Sequence, residues 1–168
     1  MLVLGGARSG KSTFAERLVA ESGLEPLYIA TANADDAEMA ERIAHHRIRR
    51  GGSWHTIEEP EALEAALADN AREGRAILVD CLTLWISNLM LARADMSRRT
   101  ESLCAALSGL PGLAVLVSNE VGMGLVPDTL LGREFRDAQG RLNQAVAAIA
   151  DRVVFVAAGL PLVLKGTL

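Results

Sequence analysis

Five short apolar runs punctuate the chain: MLVLGG, PLYIAT, AILVD, LAVLVSN and RVVFVAA. Each is continuous rather than alternating, the pattern of strands covered on both faces in a parallel sheet. Helix-length segments separate them at 11–23, 35–50, 60–73, 82–108 and 129–151. In EEPEALEAALADNAREG, Glu59 and Pro60 open the helix, Leu63 and Leu67 share a face, and Gly74 stops it. In RDAQGRLNQAVAAIADR the apolar positions Leu142, Ala145, Val146, Ile149 and Ala150 predict one inner helix face. Strand and helix in alternation predict a mostly parallel α/β sheet with helices on both faces. The tail VVFVAAGLPLVLK departs from that rhythm. Its two apolar runs meet at Gly159 and Pro161, which predicts a C-terminal antiparallel β-hairpin closing one sheet edge.

The length of 168 residues suits one domain with a sizeable core, so 1–168 is read as a single unit without repeats or linkers. Half the residues are apolar and 23% are charged, the balance of a globular protein. A net charge of −4 removes the overall basic surface that would recommend nucleic acid as a partner. The arginines cluster at 42–50 and 93–99 instead, which suits a small anionic ligand or, equally simply, a solvated helix face. Cys81 and Cys104 have neither metal-binding nor disulfide spacing and read as reduced, buried residues. There is no signal-peptide pattern and no run near the ~20 apolar residues of a membrane span, so the expected location is cytoplasmic.

Chemistry enters at residues 5–12, GGARSGKS, which fit G-x-x-x-x-G-K-[ST]. A buried strand precedes the loop and a helix follows, the context in which the motif binds phosphate. Gly5, Gly6 and Gly10, with Ala7, Arg8 and Ser9 between them, let backbone N–H groups converge on phosphate oxygens. The helix N-terminus adds partial positive charge and Lys11 a full one, while the Ser12 hydroxyl is suited to ligate Mg²⁺. A second acid at the end of a neighbouring strand would complete the Mg²⁺ site. AILVD ends in Asp80, which has that form, although a cap for the next helix needs the same residue. The expectation is a RecA-like P-loop NTPase fold. A kinase, a GTPase, a motor ATPase and a nucleotide-binding module are all compatible with it.

The stretch DDAEMAERIAHHRIRR has Met39 and Ile43 four apart and reads as a helix. His46 then shares a face with Arg42 and Arg50, whereas His45 is turned about 100° away. Arginines can clamp phosphates with bidentate bonds, and their charge keeps a neighbouring imidazole neutral. A neutral histidine is a competent nucleophile toward phosphorus. A solvated basic helix is the alternative on these residues alone.

The motifs taken together resemble the bifunctional adenosylcobinamide kinase / adenosylcobinamide-phosphate guanylyltransferase family of cobalamin biosynthesis. GGARSGKS, YIATA at 28–32, HRIRRGGSWHTIEEP at 46–60, NEVGMGLVP at 119–127, GREFRDAQGRLNQ at 132–144 and the terminal GLPLVLK follow the family's order and spacing. The resemblance implies phosphorylation of adenosylcobinamide by ATP or GTP, then transfer of GMP from GTP through a guanylylated histidine. The family pattern H-[RK]-x-x-R-x-x-x-W falls on His46, Arg47, Arg50 and Trp54, which makes His46 the nucleophile and His45 a bystander. It also implies that the phosphate loop, Thr31, Ala32 and Asn33 line the nucleotide site. Arg47, Ile48, Arg49, Arg50, Glu58 and Asp80 would complete that lining, with Mg²⁺ on Ser12 and Asp80. A homotrimer is implied as well.

Other stretches stay open between structure and chemistry. Asn119 and Glu120 stand where a strand runs into the turn VSNEVGMG, at the carboxyl end of the sheet where α/β ligands bind. Glu120 could cap that loop or contact a substrate. Arg133, Arg136, Asp137, Arg141 and Asn143 are polar positions on a helix, suited to hold the glycine-rich loop or to bridge to another subunit. Trp54 and Trp85 read as core residues, Trp54 less clearly. Two rival functions remain on the residues: a plain small-molecule kinase without a histidine adduct, and a module that binds GTP without turnover.

Overall fold

The computed structural model describes residues 1–32 and 54–167. The strands β1 (Leu2–Gly5), β2 (Glu25–Ala30), β3 (His55–Glu58), β4 (Arg75–Asp80), β5 (Leu113–Asn119), β6 (Val153–Ala157) and β7 (Leu160–Lys165) form one seven-stranded sheet in the order β3-β2-β4-β5-β1-β6-β7. All neighbours are parallel except β6 and β7. The helices are α1 (Lys11–Glu21), α2 (Leu63–Asn70), α3 (Leu82–Leu91), α4 (Met96–Leu107) and α5 (Leu130–Ile149).

Strict alternation along the strands divides the core in two. Leu2, Leu4, Ile77, Val79 and Leu116 face a layer built by Leu63 and Leu67 of α2, Trp85 and Ile86 of α3, Leu103 of α4, and Leu142 and Val146 of α5. On the other face, Val3, Leu78, Val115, Val117 and Val156 meet Phe14, Ala15 and Val19 of α1. Each fully buried leucine or valine contributes roughly 1.5–3 kcal/mol of transfer free energy, so runs covered on both sides anchor the sheet. The predicted mostly parallel sheet with helices on both faces, and its antiparallel hairpin, are the observed architecture. The hairpin turn is Ala158–Gly159, with φ of 51° and 78°, the two positive values of a type I′ turn.

Several expectations shift. The segment 82–108 is two helices, not one. Arg93 adopts φ 55°, and N–H groups of Arg93 and Ala94 return to the carbonyls of Met90 and Leu89, which closes α3 with a left-handed cap. Asp95 then caps α4 by accepting from the Arg98 N–H. The helix expected at 60–73 begins only at Leu63, because Glu59 Oε1 accepts the N–H groups of Glu61 and Ala62 and shapes a turn first. On α5 the inner face runs through Ala138, Gln139, Leu142, Asn143 and Val146 to Ala150, while Ile149 is exposed. Strand β3 was not foreseen, since HTIE at the sheet edge carries only Ile57 toward the core and makes no apolar run. The helix expected at 35–50 lies outside the described residues.

Candidate functional site

The carboxyl ends of β1, β5, β4, β2 and β3 line one edge of the sheet, and the phosphate loop sits over β1 there. Gly5 ends β1 and Lys11 begins α1, so the five intervening positions must turn back within a very short distance. Arg8 at φ 57° and Gly10 at φ 94° supply the left-handed residues that this turn needs. The loop is held from beneath. The Glu120 N–H donates to Gly5 O at 3.1 Å, Ser9 N–H to Gly6 O at 3.3 Å, and Gly159 N–H to Ser9 O at 2.8 Å. The hairpin turn thus buttresses the loop from the β6 side. Lys11 Nζ lies across its own loop and donates to Gly6 O at 3.1 Å. Ala7 and Arg8 are exposed, while Ser12 is half-buried at the first turn of α1.

Asp80 ends β4, in register with Ala30 of β2 and Val117 of β5. The expected acid on a neighbouring strand therefore stands one strand further away, because β5 lies between β4 and β1. Two strand spacings amount to about 10 Å, within reach of a phosphate chain and its metal ion rather than of the loop itself. Alternation puts Asp80 on the same face as Leu78, the face that carries α1. Beyond it the chain enters Cys81 through a cis peptide. Burial, and secondarily the charge of Asp80, push the Cys81 thiol up to about 11, and the charge of Lys11 acts on it in the opposite sense. Lys11 and the Asp80–Cys81 segment thus share one electrostatic neighbourhood.

Thr31 is fully buried rather than open to a ligand. Its hydroxyl donates to Cys81 O at 2.7 Å and accepts the Cys81 N–H at 2.9 Å, which ties the end of β2 to the segment after Asp80. Asn88 extends this clamp, donating from Nδ2 to Thr31 O at 2.8 Å and to Pro60 O at 3.0 Å. Neither Asn88 nor Thr83 was singled out from the sequence. The available signal was that LTLWISNLML is apolar apart from Thr83, Ser87 and Asn88. Glu58 ends β3 next to Ala30 and is exposed, two strands beyond Asp80. Ala32 is half-buried and ends the first described stretch. Trp54 packs edge-on against Tyr28 with ring centroids 6.3 Å apart, on the α1 face. Asn33, His46, Arg47, Ile48, Arg49 and Arg50 lie outside the described residues.

Around the edge, Glu120 Oε1 accepts the Gly122 N–H at 2.6 Å, so its carboxylate shapes the glycine-rich loop. Arg133 Nη1 donates to Pro127 O and Asp128 O, both at 2.9 Å, and pins the end of that loop to α5. Asn143 belongs to a buried set with Ser118 and Gln139, while Arg136 pairs with Asp137 beside it. Among the described residues no group of three or more His, Cys, Asp or Glu could cage a metal. One carboxylate and one hydroxyl are what Mg²⁺ takes when phosphates and water supply the rest of its shell. Ser12 and Asp80 fit that donor set.

Comparison with solved structures agrees on the fold. An ATPase from the type III secretion system of pathogenic bacteria superposes with a TM-score of 0.56 at 12% identity, covering 96% of this chain and 56% of that one. The ATPase EscN of enteropathogenic E. coli gives 0.57 at 15% identity, covering 92% and 41%. Sequence comparison is more specific. The bifunctional adenosylcobalamin biosynthesis protein CobP of Pseudomonas aeruginosa is 56% identical over 169 residues, covering 98% of this chain and 96% of its own. The bifunctional adenosylcobalamin biosynthesis protein CobU of Escherichia coli K12 is 39% identical over 180 residues, covering 98% and 99%. The family model described as cobinamide kinase / cobinamide phosphate guanyltransferase matches residues 1–164. A P-loop sheet whose sequence follows that model nearly from end to end makes this chain a member of the cobinamide kinase / cobinamide phosphate guanyltransferase family of bifunctional enzymes.

Proposed function

We propose that this enzyme phosphorylates adenosylcobinamide with ATP or GTP and then transfers GMP from GTP to the product through His46, giving adenosylcobinamide-GDP. The observation that carries the reading is the phosphate loop and Asp80 on one carboxyl edge of the sheet, in a chain matched to the family over residues 1–164. In the first reaction the substrate hydroxyl oxygen bonds to the γ-phosphorus. The bond from that phosphorus to the nucleoside diphosphate breaks, its electron pair leaves with the diphosphate, and the hydroxyl proton is released. Residues 5–12 cradle the phosphates through their N–H groups, and Lys11 turns its ammonium from Gly6 O to phosphate oxygens. Mg²⁺, held by Ser12 and Asp80, would neutralise charge on the outer phosphates when bound.

In the second reaction a His46 ring nitrogen bonds to the α-phosphorus of GTP and pyrophosphate leaves. An oxygen of adenosylcobinamide phosphate then takes the GMP, the P–N bond breaks, and the imidazole is restored. Division into two displacements lets a weak phosphate nucleophile accept GMP from a reactive phosphoramidate. Arg47, Arg49 and Arg50 act here as phosphate clamps, with Ile48, Asn33, Ala32 and Glu58 lining the nucleotide. Thr31 serves the site through Cys81 rather than by direct contact. The two cysteines are free thiols, in keeping with the cytoplasmic location that this reading assigns.

Incubation with α-labelled GTP and Mg²⁺ tests the reading. Label bound to the protein should be acid-labile and alkali-stable, absent from His46→Ala, and retained by a His45→Ala variant. Lys11→Ala should lose phosphoryl transfer by about 10²-fold or more, as expected when a preorganised charge on the phosphates is removed. Equal labelling of His46→Ala would leave a plain kinase, and tight GTP binding without transfer to any cobinamide would leave a binding module.

A further inference from the structure

We propose that Asn119 is a catalytic residue of the phosphoryl transfer, its side-chain amide donating to the phosphoryl group as it passes from nucleotide to cobinamide. This rests on the reading of residues 5–12 as the phosphate site. The placement comes from strand order. β5 lies between the loop-bearing β1 and the Asp80-bearing β4, and Asn119 ends β5 in register with Gly5. Val115 and Val117 face the α1 side of the sheet, so Asn119 faces that side too, as Asp80 does after Leu78. Ser118 faces the opposite way, into α5, where its hydroxyl donates to Asn143 Oδ1 at 2.7 Å.

The backbone of Asn119 is fixed on both sides. Its N–H donates to Thr83 Oγ1 at 2.8 Å, and its carbonyl accepts from Asn143 Nδ2 at 3.0 Å. The next N–H, of Glu120, donates to Gly5 O. Three partners from three elements therefore aim one side chain. Yet Asn119 Oδ1 is buried and has no hydrogen-bond partner among the described residues, and the same is true of Ser9 Oγ at the base of the loop. A buried polar atom left unpaired costs about 1–3 kcal/mol, so two of them beside a phosphate loop call for a ligand. A half-turn of the carboxamide exchanges Oδ1 and Nδ2, which brings an N–H donor to the same place.

The chemistry suits a neutral amide. During transfer, charge spreads over the equatorial oxygens of the phosphoryl group, and a fixed donor stabilises it without competing for the metal. A carboxylate at this position would repel the phosphates instead. Asn119 makes and breaks no covalent bond in the step.

The test compares Asn119→Ala and Asn119→Asp with Lys11→Ala, using ATP, Mg²⁺ and cobinamide. Asn119→Ala should bind nucleotide within about threefold of wild type, keep its KM, and lose about 10²-fold in kcat, the effect of removing one such donor. Asn119→Asp should lose at least as much in kcat and also bind nucleotide more weakly. Wild-type kcat in either variant overturns the proposal, as does a loss in KM alone. Misfolding of both variants overturns it as well, because a side chain without partners should not hold the fold. If instead Lys11→Ala retains nucleotide binding and transfer, the phosphate-site reading itself has failed.

Discussion

Glu25 shows how much a single exposed residue can report. Hydrogen bonds from Arg75 first, and Arg72 second, hold its carboxyl at about 2 against an ordinary 4.5. A carboxylate lowered in the fold stabilises it fully above pH 4.5, and that contribution is lost as pH falls from 4.5 through 2. Glu25→Gln should therefore flatten the fall of Tm over this acid window, and added salt should shrink the difference between the two proteins. Parallel Tm–pH curves for variant and wild type would refute the assignment. The same scale marks what could and could not be read from residue type. Trp85 was expected in the core and is fully buried there, with Nε1 donating to Glu61 O at 2.8 Å. Thr31 was expected to line the nucleotide, yet a threonine looks the same in sequence whether its hydroxyl meets a ligand or the backbone of Cys81. Cys81 is buried as expected, while Cys104 is only partly so.

At the scale of elements, the phosphate loop is legible because its geometry is local. Glycine spacing, the preceding strand and the following helix all lie within twenty-one residues of the N-terminus. The structure adds why Gly5 admits nothing larger: a Cβ there would stand 2.5 Å from Val156 O and 2.6 Å from Ser9 Oγ. Gly6 meets nothing within 4 Å. Gly5→Ala should lower stability by about 1–3 kcal/mol, as overpacking does, and weaken nucleotide binding by tenfold or more. Gly6→Ala should leave Tm unchanged. Thermal unfolding and nucleotide titration of the two variants measure this contrast, which disappears if the loop shifts freely away from β6. The break between α3 and α4 was illegible for a related reason. The cap residue is Arg93, not glycine, and nothing in its type announces φ 55°. Among the polar positions of α5, Arg133 holds the glycine-rich loop and Asn143 holds the end of β5. The inner face at Gln139 and Asn143 makes no apolar pattern because it is polar, satisfied in part by Ser118 of β5, which faces it.

For the whole molecule, the hairpin edge is what bears on assembly. All six residues of β7 are exposed, among them Leu160, Leu162 and Leu164 at 72%, 61% and 57%. An apolar edge strand of this kind invites pairing with a second copy of the chain. Light scattering should give a mass above the monomer, and Leu162→Glu should shift it toward the monomer while the described sheet keeps its stability. A monomeric wild type would end that reading. No described helix is long and apolar enough to cross a membrane. Taken by itself, the sequence determined the alternation of elements, the phosphate loop, the acid at the end of β4 and the terminal hairpin, because each is written in neighbouring residues. Strand order is not. Only the tertiary structure put β5 between β1 and β4, slipped β3 onto the edge and brought Asn119 between Gly5 and Asp80. Those pairings join residues tens of positions apart, and they arise from burying two faces of one sheet at once, which no local pattern encodes.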